Sequence, residues 1–118
     1  MDLRAIHALA LSVRKQFEKG AIRPAHLATL YASYNSEVSD TSLFVSHAQH
    51  LFPSLNCGLA SVYLQHLLGT GMIVQGLYAE QPHTFLLLAG SIVVDITADQ
   101  YGGPSVYAGP LTNPWQIQ

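Results

Sequence analysis

Around Gly69–Gly71 the apolar pattern of this chain changes period, and no other feature constrains the fold as strongly. Before that point apolar residues recur at three- and four-residue steps, the spacing of a helix with one buried stripe. After it they fall in short β-branched or aromatic runs broken by Gly and Pro, the pattern of strands. Helices first and strands afterwards, without alternation, predict an α+β fold: a helical N-terminal half packed on a small antiparallel sheet.

Leu3, Ile6, Ala10, Val13 and Phe17 make the stripe of a first helix, with Arg4, Arg14, Lys15, Glu18 and Lys19 mostly off it and Gly20 placed to end it. Pro24 suits the first turn of a second helix that carries Leu27, Leu30, Tyr31 and Tyr34 and ends near Asn35. Asp40 or Thr41 is positioned to cap a third, which ends before Pro53. Asn56 suits the cap of a fourth, whose stripe of Leu59, Ala60, Tyr63, Leu64, Leu67 and Leu68 is closed by Gly69. Three antiparallel strands are then expected over Met72–Tyr78, His83–Leu88 and Ile92–Thr97. The tail beyond Gly102, with Pro104, Pro110 and Pro114, reads as a wrapping loop with room for one edge strand near Val106.

At 118 residues the chain has room for one core, so one domain is expected, divided into a helical half (1–55), a central part (56–101) and the tail (102–118). Charged residues are 10% of the chain, against about 25% in an average protein, which leaves a weakly polar surface suited to a protein partner or homo-oligomer. The net charge of −2 gives no basic footprint for nucleic acid, and no apolar run is long enough to span a membrane. The apolar stretch from Ala5 to Val13 is interrupted by His7 and Ser12, so no signal peptide is read there and a cytoplasmic location is expected.

The single cysteine, Cys57, rules out an internal disulfide. At the first turn of a helix its thiolate is favoured by the macrodipole, and the free N–H groups there are disposed to hold an oxyanion. His83 and Asp95 lie on consecutive expected strands, and a hairpin with an odd-numbered loop brings them to one face. With Leu88-Ala89-Gly90 as that loop, His83 pairs with Asp95, Phe85 with Val93 and Leu87 with Ser91. Such a carboxylate orients the histidine, which in turn deprotonates the thiol. Replacing Asp95 by Ala is then expected to cost rate more than fold. His47 and His50 share a helix face but have no third ligand in view, so neither a metal nor any other cofactor is expected. Trp115 is expected to be buried against the first helix.

Asn56-Cys57-Gly58 opening a helix, Gly71-Met72-Ile73-Val74 with Gly76, His83-Thr84-Phe85 and Val94-Asp95-Ile96-Thr97 together resemble the catalytic core of transglutaminase-like and papain-like cysteine enzymes, in an uncharacterised bacterial branch. That resemblance implies Cys57 as nucleophile, His83 as base and Asp95 as third member, with Asn56, Gly58 and Gln100 as candidate oxyanion or substrate contacts. It implies amide chemistry through a thioester on a protein or peptide substrate: proteolysis, glutamine deamidation or transamidation, in a setting such as a bacterial effector or toxin domain. A non-enzymatic protein-binding relative of the same fold is the alternative. The chain has Gly58 and Phe85 where that family often carries an aromatic residue beside the cysteine and a tryptophan after the histidine.

Overall fold

A computed structural model describes residues 2–118. The helices are α1 (Leu3–Lys19), α2 (Pro24–Tyr34), α3 (Thr41–Leu51) and α4 (Cys57–Leu68). The strands are β1 (Met72–Tyr78), β2 (Gln81–Leu88), β3 (Ile92–Asp95), β4 (Tyr107–Pro110) and β5 (Trp115–Gln116), with a short 3-10 helix η1 (Ala98–Tyr101) between β3 and β4. The α+β class follows directly: the helices precede one antiparallel sheet of order β4-β3-β2-β1-β5.

Local chemistry sets the helix ends. The Asp2 and Asp40 carboxylates accept the Ala5 and Leu43 N–H groups at 2.8 and 2.9 Å, capping α1 and α3. Gly20 and Gly69 close α1 and α4 at φ 61° and 71°, in the left-handed region that costs glycine nothing.

The sheet separates two cores. Leu86, Val94 and Ile96 meet the helices through Ala10, Val13, Leu27, Val45, Leu59 and Leu64. On the opposite face Val74, Tyr78, Phe85, Val93, Ala98 and Trp115 form a smaller cluster. Trp115 therefore packs beneath the sheet, stacked on Tyr107 at 3.9 Å, and not against α1 as its position near the chain end suggested. The tail supplies two strands where one was expected. β4 pairs with β3 and β5 pairs with β1, so the tail borders the sheet on both edges.

The β2–β3 hairpin has the expected odd loop but a different register. Leu88 faces Ile92, Leu87 faces Val93 and Leu86 faces Val94, so the loop is Ala89-Gly90-Ser91, with Gly90 at φ 81° and Ser91 at φ 59°. The shift is by two residues, which preserves the face of every side chain. His83 and Asp95 are thus same-face neighbours on a diagonal, not directly opposed.

Strand β3 ends at Asp95, two residues short of the expected Thr97, because the Asp95 Oδ1 accepts the Thr97 N–H at 2.9 Å and turns the backbone. Continuing the register would set Thr84 against Ile96, yet the Ile96 carbonyl accepts instead from Arg14 Nη1 at 2.8 Å. The β2–β3 ladder opens there, and α1 holds it open.

Arg14 was expected on the solvent side of α1 but is buried. Its guanidinium grips both Asp99 oxygens at 2.8 Å, and its Nε donates to Glu18 at 3.0 Å. The ring of Phe52 lies 4.6 Å below it. Arg14→Ala should cost about 2–3 kcal/mol in denaturant unfolding, because it strands a carboxylate and a carbonyl together. A loss no larger than that of an exposed Lys15→Ala control would show the clamp to be idle.

Candidate active site

Cys57 is the first residue of α4. Ala60 N–H is the first to bond back into the helix, to the Asn56 carbonyl at 2.8 Å, so the N–H groups of Cys57, Gly58 and Leu59 lie at the open end of the helix. The Ser61 hydroxyl donates to the Cys57 carbonyl at 2.7 Å and steadies this first turn. The end of α4 sits where β2 parts from β3, and the thiol, half-buried, reaches the His83 ring and Thr84.

His83 lies near the start of β2 with its side chain fully buried. Its Nε2 is 2.7 Å from Asp95 Oδ2. Its Nδ1 is left to face the thiol and lies 3.4 Å from Gln100 Nε2. The rings of Tyr78 and Tyr101 stand edge-on to the imidazole at 6.1 and 5.6 Å. Tyr101 is anchored by its hydroxyl, which donates to the Pro82 carbonyl at 2.8 Å.

Asp95 is surrounded by donors. Besides His83 it accepts the Trp115 indole N–H at 2.8 Å, the Thr97 N–H at 2.9 Å and the Thr97 hydroxyl at 3.4 Å. Every one of these contacts requires an ionised or acceptor-side oxygen, so the carboxylate is held in one orientation with Oδ2 shared between His83 and Trp115.

The electrostatics run in opposite directions across the thiol and the imidazole. Burial pushes the Cys57 thiol up, but hydrogen bonds from the His83 ring and from the Thr84 backbone N–H, with the charge on His83, bring it below its ordinary value. Burial pulls His83 down, yet hydrogen bonding to Asp95 and then to Cys57 outweighs it and raises the imidazole to about 9. A lowered thiol beside a raised imidazole favours the thiolate–imidazolium pair. Burial, then the negative charge of that thiolate, also pushes the Tyr101 phenol up.

Of the residues picked out in the sequence, Cys57, His83, Asp95 and Gln100 come together. Asn56 does not join them as a donor. It is wholly buried, and its amide nitrogen is committed to the Ala48 and Ser54 carbonyls at 2.9 and 2.8 Å, so it braces the turn before α4 and does not cap the helix with its side chain. Gly58 contributes only backbone. A Cβ there would meet Tyr31 Cε1 at 3.1 Å, so α2 delivers an aromatic ring beside the cysteine in place of one carried by the next residue.

Trp115, Tyr101, Thr84 and Thr97 were not foreseen in these positions. An Asp followed two places later by Thr is a legible turn signal, but nothing in the spacing of Trp115 points to Asp95. Among the described residues no group of three or more His, Cys, Asp or Glu side chains is arranged to hold a metal ion, and no helix is long and apolar enough to cross a membrane. Cys57, Gln75, Gly76, Pro82, His83, Thr84 and Gln118 line an open cleft of about 340 Å³. No protein-family model, curated protein or solved structure matches this chain.

Proposed function

We propose that this protein is a cysteine-dependent amide hydrolase or acyl-transfer enzyme with a papain-like or transglutaminase-like core, acting on a protein or peptide. The observation that carries the reading is one buried imidazole held between a carboxylate at 2.7 Å and a half-buried thiol in an open cleft. A histidine so placed serves a thiol nucleophile, whereas a structural cysteine has no need of an oriented base.

The Cys57 sulfur attacks the amide carbonyl carbon, and the developing oxyanion is met by N–H groups at the start of α4, with the Gln100 amide as a further donor from η1. His83 passes its proton to the departing nitrogen as the C–N bond breaks, which leaves a thioester on Cys57. Water or an amine then attacks the thioester, His83 takes the proton of that nucleophile, and the thiolate leaves. Asp95 holds the ring throughout and stabilises its charged form.

Iodoacetamide should alkylate Cys57 with a half-maximal pH below the 9.0 of an ordinary thiol, and turnover should fall on the alkaline side near pH 9 as His83 loses the proton it donates. A thiol that reacts only above pH 9 or only after unfolding would support the binding-module alternative instead. Mass spectrometry of a glutamine-rich protein mixture incubated with the protein separates cleavage, deamidation and cross-linking in one measurement.

A further inference from the structure

The turn between β1 and β2 fixes where the main-chain groups of β2 point. Tyr78 faces Gln81 across a two-residue turn, Ala79-Glu80, whose residues both have positive φ, 49° and 69°. In such a turn the closing pair exchanges hydrogen bonds, so Gln81, His83 and Phe85 direct their N–H and C=O groups toward β1, and Thr84 and Leu86 direct theirs toward β3. Leu86 meets Val94 there. One pair further along the strand, the acceptor in line with the Thr84 N–H is the Ile96 carbonyl.

That acceptor is already taken. Arg14 Nη1 donates to the Ile96 carbonyl at 2.8 Å, and the same guanidinium is fixed by both oxygens of Asp99 at 2.8 Å, so the carbonyl is held toward α1. A buried strand amide deprived of its ladder partner needs another acceptor, and the Cys57 sulfur supplies it from the open end of α4. Cys57, His83 and Thr84 line one cleft, in which Arg14 has no part. Its influence on the sulfur therefore passes through Ile96, from behind the sheet.

We propose that Arg14 is a positioning residue for the nucleophile: by taking the Ile96 carbonyl it leaves the Thr84 N–H free to hold the Cys57 sulfur. The proposal rests on the enzymatic reading for the use made of that sulfur, but the contact itself is separable from it. A backbone N–H gains most from a charged acceptor, so this donor favours thiolate over thiol and keeps the sulfur beside His83 at the start of β2. The guanidinium suits the task because its fork satisfies Asp99 and the carbonyl together, whereas a single donor would have to divide itself between them.

The test reads amide exchange and thiol reactivity, neither of which needs a substrate. The Thr84 amide proton should be protected in the wild-type protein, exchange rapidly in Cys57→Ala, and regain protection when Cys57→Ala is combined with Arg14→Met and Asp99→Asn, because the Ile96 carbonyl is then free to pair with it. A purely structural role for Arg14 gives the opposite sign, since a destabilising change lowers protection. With Cys57 present, Arg14→Met/Asp99→Asn removes one charge of each sign and spares the ionisable groups that face the thiol, His83 on β2, Asp95 behind it on β3 and Tyr101 on η1. Its alkylation by iodoacetamide at pH 7 should be about tenfold slower, the loss of one charge-assisted hydrogen bond, with the half-maximal pH moved toward the ordinary 9.0. Asp99→Asn alone should leave alkylation unchanged. If the double variant does not fold, Arg14→Lys, whose single ammonium divides between Asp99 and the carbonyl, should shift alkylation in the same direction by less. Persistent protection of Thr84 in Cys57→Ala, or wild-type alkylation in a folded Arg14 variant, overturns the proposal. The expected exchange and alkylation without any acyl-enzyme in the wild-type protein leaves the role of Arg14 standing and rejects the enzymatic reading.

Discussion

Cys57→Ala is expected to lower turnover by about four orders of magnitude or more, since the thioester route has no substitute nucleophile and only positioning and oxyanion contacts remain. Its effect on stability should be small at neutral pH and distinctive in its pH dependence. In the wild-type protein His83 keeps its proton up to about 9, while the Cys57 thiol gives its proton up below its ordinary 9.0. The unfolded chain has the opposite order, a thiol that keeps its proton to 9.0 and an imidazole that loses its own near 6.5, so the two shifts oppose each other and stability should depend on pH less than His83 alone would make it. Without the thiol, His83 loses the part of its rise that Cys57 supplies but keeps Asp95, whose hydrogen bond and charge still raise it, so its folded value is expected to stay above 6.5. The native state then binds the extra proton, which gives a stability contribution that is full below pH 6.5 and lost as pH rises through the folded value. Denaturant midpoints of the two proteins from pH 6 to 9.5 check this sign. A Cys57→Ala protein that retains activity ends the proposed mechanism, and a flat profile in both proteins removes the Asp95–His83 interaction as a source of stability.

Asp95→Ala should cost both rate and fold, which departs from what strand spacing alone suggested. The carboxylate is 2% exposed and accepts from His83, Trp115 and Thr97, so its removal leaves an indole N–H, a backbone N–H and an imidazole in a dry site with no acceptor. Breaking a buried network of this kind costs about 3–5 kcal/mol. Asp95→Asn separates the two effects. It retains an acceptor for the Thr97 N–H and much of the packing, so it should fold better than Asp95→Ala, while the loss of charge lowers His83 and should reduce turnover about a hundredfold or more. Thermal unfolding and kcat/KM of the two variants provide the comparison. An Asp95→Ala protein as stable as wild type would mean that Trp115 and Thr97 find other partners.

Much of the scaffold was legible because it is local. Caps such as Asp2 and Asp40, the closing glycines Gly20 and Gly69, and the change of period near Gly71 act within one helical turn or one strand, so the sequence alone determined four helices followed by an antiparallel sheet. The shared face of His83 and Asp95 was likewise legible, since side-chain parity survives a two-residue shift in register, while the register itself was not: Ala89-Gly90-Ser91 and Leu88-Ala89-Gly90 are both three-residue loops, and the choice depends on how Leu86, Val93 and Val94 fill two different cores.

What the tertiary structure decided lies at long sequence separation. Asn56 has the composition of a helix cap, but burial turned its amide toward Ala48 and Ser54, since a buried donor must be satisfied wherever acceptors lie. Arg14 looks like a surface residue in its helix, and only the approach of η1 supplies Asp99 and the Ile96 carbonyl, 85 and 82 residues away, to make its burial favourable. The same approach parts β2 from β3 and admits the end of α4, and β5 brings Trp115 to Asp95 from 20 residues away. Local periodicity carries no information about such contacts. Cys57, His83 and Asp95 could be named from the sequence, but the clamp, the split in the sheet and the indole donor that hold them together arise only when distant segments pack and buried groups such as Arg14 and Asp95 take the partners within reach.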